Sequence, residues 1–270
     1  MFASPGKRRQ PGWFARKLWR EGVAPELSAL AMVEDGGSLR PQGYALLGRA
    51  PSLGSRARGA GVGLLPALRG RGLGRRLLAF AADRAHAAGL DSVEFLAEPE
   101  RLPWYLGMGF EPDREEWTLL AEATGSAALA APEAQLELPR GEAPLWTWTP
   151  QCWDRTPARQ RGALRLELRE TQLELRAWFS REGQAILIHR VELDTPPDTP
   201  SAVIVAALDA LRARWPAPTP LLLYPCPAGS TASAPPWSRA LVAANWRVAQ
   251  RSTVVRIRLV PDRLCALRSY

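Results

Sequence analysis

The residues best suited to chemistry lie together, in Arg69-Gly70-Arg71-Gly72-Leu73-Gly74-Arg75-Arg76. Glycines at 70, 72 and 74 leave the main chain bare where a strand runs into a helix. Several amide N–H groups can then point at one anion, and the helix N-terminus adds partial positive charge. Such a turn can cradle a pyrophosphate. A Walker loop would need a Lys and a Ser or Thr after the last glycine, and Arg75 and Arg76 stand there instead. A dinucleotide fingerprint needs G-x-G-x-x-G, which Gly70, Gly72 and Gly74 do not satisfy. Taken alone, the glycines serve tight packing as well as they serve an anion.

The cradle needs a strand before it and a helix after it, and the flanks supply both. Gly12 to Arg20 fits a short helix, Leu27 to Val33 a strand, Glu34-Asp35-Gly36-Gly37 a hairpin turn, and Gly43 to Arg49 a second strand. After a turn at Leu53 to Ser55, Arg58 to Leu65 reads as a third strand whose glycines allow a ligand to approach the backbone closely. The helix from Leu73 to Ala88 carries Leu73, Leu77, Phe80, Ala81 and Ala85 as its apolar stripe and stops at Gly89. Val93, Phe95 and Ala97 alternate as a buried strand. A short helix over Pro103 to Met108 and a strand near Trp117 to Leu120 complete an α/β unit.

Ala121 to Gly141 is rich in Ala, Gly, Glu and Pro and has no strong period, which places a boundary there. The expected division is a first domain over 1–125, a linker over 126–141 and a second domain over 142–270. The second half repeats the order of the first. Leu164 to Leu168, Leu173 to Phe179 and Ala185 to Leu193 read as strands. Ser201 caps a helix through Arg214 with Val203, Ala206, Ala207, Ala210 and Leu211 on one face. Leu221 to Tyr224 is a strand, Trp237 to Ala244 a helix and Thr253 to Val260 a closing strand. Gly74 to Phe95 and Ser201 to Leu222 are each 21 residues apart, which argues for two copies of one fold.

The charge of +8 and pI of 10.2 would suggest nucleic acid if the cations were clustered. They are not: Lys7 and Lys17 are the only lysines, and the arginines are spread along the chain, so nucleic-acid binding is not expected. The start is the exception, with Lys7, Arg8, Arg9, Arg16, Lys17 and Arg20 around Trp13, Phe14 and Trp19. A first helix packing its aromatics on the domain is preferred there to contact with a membrane or RNA. Cys152, Cys226 and Cys265 form no C-x-x-C pair and read as reduced thiols, and no run has the length of a signal peptide core or a membrane span. A soluble cytoplasmic protein is expected. His86 and His189, the only histidines, are not at metal-ligand spacing, so no metal is expected.

The spacing R-x-x-G-x-G after a strand and Pro66 resembles motif A of the GNAT acetyltransferases, and Trp104-Tyr105-Leu106-Gly107-Met108-Gly109-Phe110 resembles that family's Y-x-x-x-G-F segment. The resemblance covers about Leu27 to Leu120. It implies a fold of α/β (α+β) class with two tandem GNAT-like domains, each a mixed, mostly antiparallel sheet flanked by helices. It implies acetyl-CoA as co-substrate and direct transfer of acetyl to an amine acceptor in a ternary complex. The main chain of Val62, Gly63 and Leu64 would pair with the pantetheine arm and stabilise an oxyanion. Arg69, Gly70, Arg71, Gly72, Leu73, Gly74 and Arg75 would hold the pyrophosphate, with Arg69, Arg71 or Arg76 adding charge. Tyr105 would return a proton to the leaving thiolate. A buried core tyrosine is the plainer reading.

The departures from the family pattern matter as well. Glu98, followed by Pro99, stands where the family often has an Asn. The stretch before Leu27 is short for the family's first strand and first long helix, so the acceptor wall is expected from the second half, through Leu145 to Trp148, or from residues upstream of Met1. Glu34, Asp35, Glu94 and Glu98 are open as general bases, each with a solvated surface carboxylate as its plainer reading. In the second half Leu193-Asp194-Thr195-Pro196-Pro197-Asp198-Thr199-Pro200 replaces the glycine loop. Prolines lack the N–H a phosphate needs and aspartates repel it, so this copy is expected to bind no coenzyme A. A non-catalytic coenzyme A-binding or structural scaffold is the other reading of the whole chain. The acceptor's identity and a homodimeric state are left open.

Overall fold

The computed structural model describes residues 12–49, 53–125, 157–168, 173–194, 196, 199–228 and 240–268. The linker expected over 126–141 lies outside them, as do Leu145 to Trp148, Cys152, Trp237 and the basic residues Lys7, Arg8 and Arg9. In chain order the first elements are α1 (Trp13–Arg20), β1 (Ala29–Asp35), β2 (Ser38–Gly48), β3 (Arg56–Leu64), α2 (Leu73–Ala87), β4 (Ser92–Ala97), α3 (Leu102–Leu106) and β5 (Glu111–Glu122). A second series follows, with β6 (Arg161–Leu168), β7 (Leu173–Glu182), β8 (Ala185–Asp194), α4 (Ser201–Arg212), β9 (Pro220–Ala228), α5 (Ala240–Ala243), β10 (Arg247–Arg258) and α6 (Pro261–Arg268). Three strands, a helix, a strand, a short helix and a strand recur in both.

By packing, the chain divides into two compact units, Met1–Phe95 with Ile257–Tyr270, and Leu96–Arg256. In the first, the strands run in the order β1-β2-β3-β4. Gly36 and Gly37, at φ of 58° and 81°, turn β1 into β2 with Asp35 opposite Ser38; two successive positive φ angles are what a two-residue hairpin of this hand requires. β3 carries one residue too many against β2. Gly59 faces Leu47 and Gly61 faces Leu46, which leaves Ala60 as a bulge. β3 and β4 run parallel but pair only over Arg56–Arg58 with Ser92–Glu94. Just beyond, the Phe95 ring lies 1.9 Å from where a Cβ on Gly59 would stand.

α2 buries Leu77, Leu78, Ala81, Ala82 and Ala85. Phe80, expected in that stripe, is 52% exposed with the Arg84 guanidinium over its ring. At 100° per residue it falls just outside the buried arc, and Leu78 and Ala82 hold the face instead. α6, which no sequence period announced, packs against α2 in the same unit. Leu264 and Leu267 are buried, Arg268 Nη2 pairs with Asp83 Oδ1 at 2.5 Å, and the Leu259 amide donates to the Asp91 carbonyl at 2.8 Å.

The second unit has strand order β10-β5-β9-β8-β7-β6. β5 is antiparallel to β10 on one side and to β9 on the other. β8 and β9 are parallel over three residues, Ile186–Ile188 with Leu221–Leu223, which matches the short parallel contact of β3 with β4. The core gathers Leu175, Phe179, Ile188, Leu208, Leu221 and Trp246. On α4 the buried residues are Ile204, Ala207, Leu208 and Leu211, whereas Ala206 is exposed and Val203 half-buried, a rotation of the expected face. Pro200 occupies the cap position and Ser201 is already helical, so the expected side-chain cap at Ser201 is not formed.

Candidate active site

The glycine loop joins β3 to α2. Arg69 Nε donates to the Leu64 carbonyl at 3.3 Å, which folds the loop's first residue back on the strand. Gly70 and Gly72 both sit in the left-handed region, at φ of 76° and 72°, and a Cβ at either would meet no atom within 4 Å. Glycine is therefore required by conformation, and the space beside it is open. Gly72 caps α2, whose first turn closes with the Arg76 amide donating to the Gly72 carbonyl at 3.1 Å. The amides of Gly70, Arg71, Gly72, Leu73 and Gly74 donate to no protein acceptor among the described residues. Arg69, Arg71 and Arg76 are exposed around them and Arg75 is half-buried. Bare amides, a helix N-terminus and four guanidinium groups fit an oligophosphate.

Val62, Gly63 and Leu64 end β3. They are half-buried, paired on one side with Ala45, Tyr44 and Gly43, and lie past the last β4 contact at Arg58. The strand's far side is thus available to an extended chain that bonds to main-chain groups. Tyr44 crosses this stretch from β2, since a Cβ on Gly63 would stand 2.8 Å from its ring. Burial, and then the Glu21 carboxylate, raise the Tyr44 hydroxyl above its ordinary range.

Sequence reasoning missed one group in this unit. Lys17, from α1, is buried, and its Nζ donates to the Ala60 carbonyl in the β3 bulge at 2.8 Å. The same Nζ lies 2.5 Å from both carboxylate oxygens of Glu21. The chain after α1 is fixed to β2 by Ala24 N donating to Leu47 O at 2.8 Å and Arg49 N to Gly22 O at 3.0 Å. A Cβ on Gly48 would be 2.2 Å from the Glu21 carbonyl, so only glycine admits this approach. The scarcity of lysine was the one available signal. The aromatic face expected to pack on the domain is only partly covered: Phe14 touches Tyr44 at 6.4 Å between ring centroids, yet it and Trp19 are 46% and 48% exposed.

In the second unit Tyr105 lies on α3 and is buried against Phe110 and Trp104, with centroids 5.4 and 4.9 Å away. The amides of Met108 and Phe110 both donate to its carbonyl, at 3.0 and 3.2 Å, which wraps the Gly107–Phe110 turn around it. Burial pushes its hydroxyl well above the ordinary range, the Glu98 carboxylate adds to the rise and Arg101 offsets part of it. The tyrosine stays protonated at any working pH. Glu98 itself accepts from Gln250 Nε2 at 3.2 Å.

The other candidate bases separate by environment. Glu94 is no surface carboxylate. It is fully buried, with Arg56 and Arg58 each at 3.0 Å on its two oxygens. Two guanidinium partners thus occupy both of its oxygens inside the sheet. Glu34 and Asp35 are exposed at the hairpin, where Asp35 pairs with Arg40 at 3.2 Å. Of the histidines, His86 is exposed in the last turn of α2, and His189 is buried with its Nε2 2.8 Å from Ser180 Oγ. Among the described residues no group of His, Cys, Asp and Glu is arranged to hold a metal, and no helix is long and apolar enough to cross a membrane.

Comparison with known proteins finds likeness in both sequence and fold. Residues 28–112 match the acetyltransferase (GNAT) domain. No curated protein matches the chain in sequence. Among solved structures, a GCN5-related N-acetyltransferase from Sphaerobacter thermophilus is similar at 14% identity over 87% of this chain and 81% of its own, with a TM-score of 0.55. A tandem GNAT protein from the clavulanic acid biosynthesis pathway is similar at 16% identity over 95% of this chain and 91% of its own, with a TM-score of 0.51. At these identities the two structures speak for the fold, which is the tandem GNAT fold expected from the sequence.

Proposed function

We propose, from the match of residues 28–112 to the acetyltransferase (GNAT) domain in a chain of tandem GNAT fold, that the protein is an N-acetyltransferase using acetyl-CoA and an amine acceptor. The family transfers acetyl from acetyl-CoA to amines. The observation that carries the reading here is the loop of Gly70 to Gly74, with bare amides and open space beside Gly70 and Gly72. These amides would hold the pyrophosphate, with Arg69, Arg71, Arg75 and Arg76 around it, and the main chain of Val62, Gly63 and Leu64 would bond to the pantetheine arm. When bound, acetyl-CoA supplies an acetyl group activated as a thioester. For Tyr105 we propose the role of proton donor to the departing sulfur, a role supported by a hydroxyl that burial keeps protonated. An acid of that kind contributes roughly 10²-fold or more to rate.

In the second half β8 ends at Asp194, and Pro196 and Pro200 follow it where the glycines follow β3. That copy is read as a structural partner without its own coenzyme A. The wide spacing of the cysteines supports a cytoplasmic setting. The test is calorimetric titration with acetyl-CoA, followed by a thiol-release screen over small amines, aminoglycosides and peptides with free amino groups. Saturable binding near one molecule per chain with amine-dependent release supports the enzyme. Binding with no release for any amine, unchanged in Tyr105→Phe, supports the scaffold reading, and no binding overturns both.

A further inference from the structure

The Lys17 cluster lies on the stretch of β3 that the proposed function gives to acetyl-CoA, and the following inference rests on that reading. Ala60 is two residues upstream of Val62, so its carbonyl lies about 7 Å back along the strand. An amine held at that carbonyl shares β3 with the acyl group that the proposed function places at Val62–Leu64, two residues further along. The structure already holds an amine there. Lys17 Nζ is 2.8 Å from Ala60 O, and the Glu21 carboxylate lies 2.5 Å from the same nitrogen. We propose that Lys17 is an internal acetyl acceptor, so that the protein acetylates its own α1 with Glu21 as the base.

Three observations converge on this assignment. First, the cluster is built: α1 is fixed to β2 through Ala24 and Arg49, and Gly48 is required for the Glu21 backbone to approach. Second, the partners of the ammonium are those an acceptor needs, a carbonyl that orients it and a carboxylate that can remove its proton. Third, the chain has 35 basic residues and only Lys7 and Lys17 are not arginine. An arginine at 17 would satisfy the same carbonyl and carboxylate but could not lose a proton to become a nucleophile.

The chemistry balances without any further reagent. The Lys17 ammonium gives one proton to Glu21, and its lone pair forms the C–N bond at the thioester carbonyl. The C–S bond breaks, coenzyme A leaves as the thiol with the proton that the proposed function gives to Tyr105, the nitrogen's second proton and the proton on Glu21 pass to solvent, and solvent reprotonates the tyrosine. Lys17 becomes a neutral amide. Its charge pairing with Glu21 is lost.

The experiment is to incubate the purified full chain with acetyl-CoA and no added amine, and to follow intact mass and peptide maps. One acetyl group per chain on Lys17 is expected, at a rate independent of protein concentration, because the step is intramolecular. Lys17→Arg should abolish the mark while binding acetyl-CoA as before. Glu21→Gln should slow it about a hundredfold, and circular dichroism will show whether that variant folds. Gly72→Asp should suppress the mark with Lys17 intact. Calorimetric binding of acetyl-CoA with Lys17 unmodified overturns the inference and leaves the proposed function standing. Acetylation shared equally with Lys7 and the N-terminal amine, or equal in heat-unfolded protein, also overturns it. Absence of binding overturns the proposed function itself.

Discussion

Replacing Gly72 by Asp puts a carboxylate at the mouth of the proposed phosphate cradle, and its effects on folding and on binding can be separated beforehand. In the folded chain a Cβ at this position meets nothing within 4 Å, so no steric term arises. What remains is the left-handed backbone at φ 72°, which costs an ordinary residue about 1–2 kcal/mol and Asp somewhat less. For a unit of roughly 110 residues each 1 kcal/mol of that lowers Tm by about 4 °C. Binding is affected more. Two like unit charges about 4 Å apart repel by about 4 kcal/mol at an effective dielectric constant of about 20. The loop is exposed, so salt screens part of this, and about 1.5–3 kcal/mol should survive, a loss of roughly tenfold to a hundredfold in acetyl-CoA affinity. Gly72→Asn is the control, since it carries the same shape and backbone demand without the charge. Calorimetry at low and high salt should show the Asp defect shrinking with salt while the Asn variant stays near wild type. If Gly72→Asp folds and binds within twofold of wild type at low salt, the phosphates do not sit at this helix N-terminus.

Other substitutions report on the elements behind the site. Gly59→Ala should destabilise the first unit by about 1–3 kcal/mol in denaturant unfolding, because its methyl would fall 1.9 Å from the Phe95 ring. Glu94→Gln should cost about 3–5 kcal/mol by the same measurement, because it removes the charge that Arg58 pairs with at 3.0 Å inside the sheet. Stability should fall as pH rises past about 10, the ordinary tyrosine value. Tyr105 and Cys226 are both raised by burial, so the folded state binds their protons more tightly than the unfolded state does. That contribution is present below the unfolded value and is lost as pH climbs toward the folded one. Tyr105→Phe should flatten this alkaline limb in a series of melts.

The local conformation was legible in the sequence, and the long-range contacts were not. Gly36 and Gly37, Gly72 and Gly89 each stand at a positive φ, as their positions in the pattern required. The order of strands and helices could be read twice over because each element carries its own period. Glu94 was misjudged because Val93, Phe95 and Ala97 alternate as though the other face met water. The strand is buried on both faces, and two arginines from β3 make that tolerable for a carboxylate. α6 has no clean apolar stripe, so only its contact with α2 reveals it. The bond from Lys17 to Ala60 spans 43 residues of sequence and depends on a bulge that no local pattern announces.

The division of the chain into units has a consequence for the order in which the protein can be made. The helix α2, whose N-terminus forms the cradle, packs against α6, yet the whole stretch Leu96–Arg256 lies between them in the chain. On a ribosome α2 emerges long before α6. Until the later segment follows, the apolar surface that Leu264 and Leu267 will cover stays open to solvent and to chaperones. Loop closure over such a length adds little to the equilibrium cost, since that grows only with the logarithm of length, but it slows the search. Completion of the first unit is therefore expected to be a late event in biogenesis, and a fragment ending at Phe95 should be a client of chaperones and proteases.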